Sequence, residues 1–238
     1  MKLDILVFAA HPDDAELSCS GTLLSQIALG RKVGLVDLTQ GELGTRGSAA
    51  IRKKEADAAT KILGLHAREN LKMRDGFFQK DEVNLKKVIQ MIRKYQPEIV
   101  IGNAVQDRHI DHGRAADLIH DACFLSGLAR IETKLNTKKQ AAWRPKTLYH
   151  YIQDYYIQPD IIVDITPFME TKMKSITAFK SQFYDPKSKE PQTAISSKEY
   201  LDYLISRASH FGRLIGVQYG EGYTVKRPMG TRDLMQLF

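Results

Sequence analysis

Cysteine is scarce in this chain, with two in 238 residues, Cys19 and Cys123. Both fall in stretches that read as helix, which excludes a disulfide scaffold and a thiolate metal site and points to a reducing compartment. Long apolar runs are missing too. The run Ile5 to Ala10 is far short of the ~20 residues of a membrane span, and it reads as a buried strand rather than a signal peptide. A soluble, cytoplasmic protein without a membrane partner is expected. No G-x-x-x-x-G-K-[ST] or G-x-G-x-x-G pattern occurs, so nucleotide binding has little support. Repeats, low-complexity tracts and an interdomain linker are also lacking, and one domain over residues 1–238 is the simplest organisation.

What the chain has in excess is positive charge. Thirty-five Lys and Arg against 28 Asp and Glu give a net charge of +7, on an ordinary globular balance of 43% apolar and 26% charged residues. A nucleic-acid partner would need basic residues interleaved with exposed aromatics. The best stretch, Lys134 to Lys146 around the single Trp143, reads as a solvated loop, and no nucleic-acid partner is expected.

Short β-branched runs alternate with amphipathic ones, the rhythm of βαβ units around a parallel sheet in an α/β fold. Strands are expected at Leu3–Ala10, Val33–Leu38, Asn70–Met73, Glu98–Gly102, Thr147–Ile152 and Ile161–Asp164. Leu85, Val88, Ile89 and Ile92 form one helical stripe, and Ala115, Leu118, Ile119 and Ala122 form another. A helix opening at Thr166-Pro167 should bury Met169, Met173, Ile176 and Phe183. A last helix opens on a capping box, Ser196 with Glu199, and carries the stripe Leu201, Leu204, Ile205, Ala208. Between these two helices, Tyr184 to Ser197 reads as a mobile surface loop.

Chemistry concentrates at two strand ends. His11-Pro12-Asp13-Asp14-Ala15-Glu16 follows the first strand, and Asp107-Arg108-His109-Ile110-Asp111-His112-Gly113 follows the fourth. Open α/β sheets bind ligands at the carboxyl ends of their strands, so the two clusters can meet. Asp13 or Asp14 alone would read as a helix cap, but a histidine beside paired acids weighs against that. Histidine with carboxylate and no thiolate suits one zinc ion or a similar divalent metal. His11, Asp14 and His112 are the candidate ligands. Asp13 is then free as general base on a water activated by the metal, and His109, oriented by Asp111, can stabilise the oxyanion or protonate a leaving group. A two-metal phosphoesterase would need more ligands than these clusters can spare. The segment Gly41-x-x-Gly44-x-x-Gly47 reads as a substrate-facing loop leading to Arg52.

His11-Pro12-Asp13-Asp14, then Gly41-Glu42-x-Gly44-Thr45, Arg52, Glu55 and His109-x-x-His112, resembles the LmbE/PIG-L family of zinc deacetylases. The carboxyl-terminal Phe211-Gly212, Ile215-Gly216 and Tyr219-Gly220-Glu221-Gly222 extend the resemblance over most of the chain. Within the family it is most similar to the bacillithiol-biosynthesis enzymes, which deacetylate N-acetylglucosaminyl malate. The resemblance implies a Rossmann-like three-layer αβα fold with a mostly parallel sheet and the same metal, base and oxyanion assignments. It also implies Arg52 and Arg108 in the pocket, a small sugar conjugate as substrate, and a homo-oligomer, trimer or hexamer. A carboxyl-terminal tyrosine should stabilise the tetrahedral intermediate, with Tyr200 the better match and Tyr184 its competitor. Cys19 and Ser20 depart from the family pattern, where small residues such as glycine are common, and both are small enough to spare the metal site.

Overall fold

The computed structural model describes residues 1–233 and 235. Its elements run β1 (Ile5–Ala9), α1 (Asp14–Ser18), α2 (Ser20–Ala28), β2 (Val33–Thr39), α3 (Ala49–Leu63), β3 (Ala67–Met73), α4 (Glu82–Tyr95), β4 (Ile99–Gly102), α5 (Ile110–Leu125), β5 (Lys134–Leu135), β6 (Lys138–Lys139), β7 (Thr147–Tyr151), β8 (Ile161–Asp164), α6 (Met169–Thr177), α7 (Lys198–Leu214) and β9 (Gly220–Thr224). Seven strands form one sheet in the order β3-β2-β1-β4-β7-β9-β8. The first five are parallel to their neighbours, and β9 runs antiparallel to both β7 and β8. The chain leaves β1 towards β2 and β3 and returns to β4 on the other side of β1. That reversal opens a crevice beyond the carboxyl ends of β1 and β4.

Alternation along β1 divides the core. Leu6 and Phe8 face one side, where they join Val88, Ile92, Leu118 and Ile119 of α4 and α5. Ile5, Val7 and Ala9 face the other, with Leu23 of α2 and Leu35 of β2. Each large side chain buried in this way contributes about 1.5–3 kcal/mol. Helices on both faces of a mostly parallel sheet are the three-layer α/β architecture expected above.

Local differences have physical causes. β3 starts at Ala67, three residues before the expected Asn70: Ala67, Arg68 and Glu69 pair with Gly34, Leu35 and Val36 of β2, and the two charged side chains mask the strand in the sequence. β9 contains Gly220 and Gly222, which mask its strand character; a Cβ at Gly222 would sit 3.1 Å from Ile152 and Phe211. Helix α7 is capped by Ser197 rather than Ser196, its hydroxyl accepting from the Tyr200 N–H, while Ser196 bonds to Thr193. Ile205 of the expected α7 stripe is 38% exposed. Cys19 lies at the junction of α1 and α2. Phe183 lies beyond α6 yet still packs beside Ile176. The stretch Lys134–Lys146 holds a short antiparallel hairpin, and the loop after Tyr184 is tied to the glycine-rich segment through Arg46–Ser188 and Gly47–Glu190 hydrogen bonds. No helix among the described residues is long and apolar enough to cross a membrane.

Candidate active site

The two strand-end clusters meet in the crevice between β1 and β4. A cavity of about 190 Å³ is lined by His11, Asp13, Asp14, Arg52, Arg108, His109, His112 and Tyr200, together with Asp75, Gln153 and Asp154. Of the residues singled out in the sequence, Asp111 stands just behind this lining. Tyr184 is 44% exposed and lies outside the lining, whereas Tyr200 is 9% exposed and stacks on Phe183.

Asp13 sits at the N-cap position of α1 with φ 121°, and its side chain makes no capping hydrogen bond. The capping reading therefore fails at this residue. Positive φ at a non-glycine residue is strain of the kind that persists at functional sites. Its Oδ2 is buried without a hydrogen-bond partner, 3.5 Å from a guanidinium nitrogen of Arg52. Burial pushes the Asp13 carboxyl up to about 7, against the opposing pull of Arg52.

Asp14 turns the other way. Its Oδ2 accepts from the His11 N–H at 2.9 Å and from Asn103 at 3.1 Å, and its Oδ1 accepts from Gln153 at 2.8 Å. His11 Nδ1 lies 3.5 Å from Asp14 Oδ2, and His112 Nε2 lies 3.2 Å from Asp14 Oδ1. Burial would raise Asp14, yet the two imidazoles hold it well below the usual carboxylate range.

The second nitrogen of each imidazole fixes its role. His11 Nε2 faces Asp75 Oδ1 at 3.0 Å and Asp111 Oδ2 at 3.3 Å, so in the neutral ring it donates and leaves Nδ1 with the lone pair; burial lowers the His11 pKa, but Asp111, Asp14 and Asp75 together raise it well above the ordinary value, so a bound ion would take the place of the Nδ1 proton. His112 Nδ1 donates to Asp107 Oδ2 at 2.5 Å, and its Nε2 is buried without a hydrogen-bond partner. A histidine that donates one N–H to a carboxylate and aims the other nitrogen into a polar cavity is arranged as a metal ligand. His11 Nδ1, an Asp14 oxygen and His112 Nε2 thus fit a divalent ion. His109 is different. Its Nδ1 accepts from the backbone N–H of Asp111 at 3.2 Å, so the neutral ring carries its proton on Nε2. Burial, then the neighbouring His11 and His112, lower its pKa and favour that neutral donor form.

Among the described residues, the sets of potential ligand atoms that lie within 4.8 Å of one another are His11 with His109 and His112, and His11 with Asp75 and Asp111; Asp14, beside His11 and His112, belongs to neither set. The hydrogen bonds just described give the carboxylates of the latter set a supporting place around His11. Asp111 was expected to orient His109. It does so by its backbone N–H, because its carboxylate is committed to His11, Gly76 N–H and Arg114.

Arg52 is buried, with its guanidinium donating to Pro12 O and bonded to Gln182. Gly41 explains how it fits: at φ +63°, a Cβ there would lie 2.6 Å from Arg52 Nη1. Arg108 has a side chain 42% exposed and pairs with Asp154 at 2.5 Å. Beneath the site, buried Lys172 bonds to the carbonyls of Glu16 and Leu17 at 3.0 and 2.9 Å and to Glu221 at 2.8 Å. Glu221 accepts from Gly21 N–H, Thr22 N–H and the Thr22 hydroxyl. The carboxyl-terminal glycine-rich motif therefore delivers a carboxylate that locks α1 and α2, and with them Asp14.

Asp75 and Gln153 were missed in the sequence. Asp75-Gly76 does follow β3, a strand end like the other two, but a lone acid there carries no histidine to mark it.

Residues 6–123 match the family model described as PIG-L, GlcNAc-PI de-N-acetylase. The chain is 32% identical over 195 residues to a probable N-acetyl-alpha-D-glucosaminyl L-malate deacetylase 2 of Bacillus anthracis, covering 75% of this chain and 81% of that protein. It is 26% identical over 228 residues to the diacetylchitobiose deacetylase of Thermococcus kodakarensis, covering 92% of this chain and 81% of the other. Among solved structures, a conserved protein of Thermus thermophilus superposes with a TM-score of 0.85 at 31% identity, covering 96% of this chain and 97% of that one.

Proposed function

The chain belongs to the PIG-L (LmbE-like) deacetylase family and is an amide hydrolase acting on N-acetyl groups, and from that premise we propose that it is a zinc-dependent deacetylase of an N-acetylglucosaminyl conjugate, with N-acetylglucosaminyl malate as the preferred substrate. The observation that carries the reading is the set of hydrogen-bond partners around the three histidines, from which their tautomers follow. His11 and His112 each donate one N–H to a carboxylate and present the other nitrogen beside Asp14, whereas His109 presents an N–H.

His11, Asp14 and His112 would hold the ion, one per chain, as three protein donors leave an open position. When bound, zinc supplies a Lewis acid that polarises the acetamide carbonyl and acidifies a water. Asp13, on the cavity lining and without a hydrogen-bond partner on its Oδ2, takes the proton of the attacking water. Arg52 keeps that carboxylate in reach of its ionised form despite burial. His109 Nε2–H donates to the carbonyl oxygen as negative charge develops on it. Tyr200, which lines the cavity, would assist there. Collapse breaks the C–N bond, and the proton held by Asp13 passes to the departing amine, leaving acetate and the free amino sugar.

The two basic residues divide their duties. Arg52 is committed to Asp13 and Gln182, whereas Arg108, half-exposed at the mouth, engages Asp154 through Nε and keeps its terminal nitrogens for a malate carboxylate. The buried cysteines and the reading of a small metabolite substrate fit a cytoplasmic enzyme. A panel of N-acetylglucosaminyl malate, N,N'-diacetylchitobiose and N-acetylglucosamine, assayed for released acetate, tests the substrate. Highest kcat/KM on the malate conjugate is expected, and equal or higher values on diacetylchitobiose would overturn the malate assignment while leaving N-deacetylation intact.

A further inference from the structure

A second cavity, of about 350 Å³, opens between the carboxyl-terminal half of α5, the start of β7 and the segment following β9. It shares no lining residue with the candidate active site. Its rim carries Arg144, Lys146, Lys226 and Arg227, and no carboxylate lines it among the described residues. Two of the four cations come from the basic stretch whose charge the deacetylase chemistry leaves unused. Several of them already have local duties. Arg144 donates to Phe124 O and lies over that ring, Arg227 donates to Lys146 O, and Lys146 pairs with Glu98. Such bonds fix the guanidinium groups in place while leaving N–H groups to spare, and an excess of one sign over a concave surface concentrates counterions.

The floor supplies an independent sign of a ligand. His150 is 1% exposed, and its Nδ1 donates to Asn103 O at 2.8 Å, so its Nε2 carries a lone pair. That Nε2 is buried without a partner although the ring lines the cavity. A buried polar atom left unpaired in this way calls for a partner. The remaining wall is apolar, from Leu148, Phe124 and Val225. The cavity is also larger than a bare oxyanion requires, and it falls in the size range of small-molecule sites.

We propose that this cavity binds a small organic phosphate ester, its phosphate held by Lys226 and Arg227 with Arg144 at the rim, its body against the apolar wall, and a proton donor of the ligand on His150 Nε2. The ligand is bound and not transformed, and the site is independent of the deacetylase chemistry. Phenyl phosphate probes the phosphate and apolar parts of the site, and 4-hydroxyphenyl phosphate, whose hydroxyl can donate to His150 Nε2 and which should therefore bind more tightly, probes the whole of it; each is followed through the ring ¹H–¹⁵N signals of His150 and of His109 in the full-length protein. Saturable shifts at His150 with His109 unmoved are expected at about 1 mM or below. Lys226→Ala/Arg227→Ala, exposed substitutions that leave the core and deacetylation untouched, should weaken binding at least about tenfold. Phenol should give no shift, and inorganic phosphate should bind more weakly than the ester. Absence of a His150 response, or unchanged affinity in the double variant, would overturn the site. Inorganic phosphate binding as tightly as phenyl phosphate would overturn its assignment to an ester.

Discussion

Replacing Asp107 by Asn isolates the support of one metal ligand without touching any ligand itself. Both carboxylate oxygens are occupied. Oδ2 accepts from His112 Nδ1, and Oδ1 accepts from the backbone N–H groups of Asp154 and Tyr155 at 3.0 and 2.8 Å. An amide keeps one acceptor oxygen and turns the other into a donor. If the remaining oxygen stays with the two backbone N–H groups, the new NH₂ faces His112 Nδ1, and the ring then takes its proton on Nε2, the nitrogen intended for the metal. If the amide flips, the ring keeps its tautomer but the loop carrying Gln153 and Asp154 loses its anchor. Either way the preorganisation of His112 is lost, and loss of such a supporting carboxylate typically costs 10–100-fold in metal affinity. At about 1.4 kcal/mol per factor of ten, that is roughly 1.4–2.8 kcal/mol. Zinc affinity measured by competition with a chromophoric chelator should fall by this factor, while kcat at saturating zinc falls less steeply. Unchanged affinity in a variant with unaltered thermal unfolding would refute the assignment of His112 Nε2 as a ligand atom.

Asp13→Asn should reduce kcat by about 100 to 10,000-fold while metal content, read by atomic emission, stays at the wild-type level. Lys172→Met should destabilise the fold by about 3–5 kcal/mol in urea titration, since it leaves buried Glu221 without its cationic partner and held only by the Gly21 and Thr22 donors; a cost under about 1 kcal/mol would contradict the role given to that pair. Burial, with Lys226 and His120 adding to it and the Asn103 bond opposing, holds His150 down to about 4 against an ordinary value of 6.5. The unfolded chain therefore takes up this proton first as pH falls. The contribution is fully present above pH ~6.5, is lost progressively down to about pH 4, and amounts to roughly 3 kcal/mol. His150→Gln should flatten the stability profile in that window, and an unchanged slope would show that His150 is not the group responsible.

The crevice was legible because its chemistry is written as two compact clusters, each directly after a β-branched run and each followed by a helix. Strand ends in a parallel sheet bring such clusters together whatever lies between them in sequence. Tautomers were not legible. They depend on Asp75, 64 residues from His11, and on the backbone N–H of Asp111, neither of which announces itself in a pattern. The same limit applied to Arg52. The sequence led to Arg52 in the pocket without its partners, and Gly41 and Gly44 let it pack inward against Asp13 and Gln182. β9 escaped notice because the two glycines that let it pass close to Phe211 and Ile162 remove the alternation by which strands are recognised.

The most direct test is to strip the full-length protein with a chelator, restore it with graded zinc, and measure acetate and free amine released from N-acetylglucosaminyl malate against metal bound per chain. Activity should be abolished on stripping and return in proportion to a single ion per chain, with acetate and amine formed in equal amounts. Full turnover by the stripped protein, or restoration that requires a second ion, would contradict a one-metal deacetylase site built on His11, Asp14 and His112.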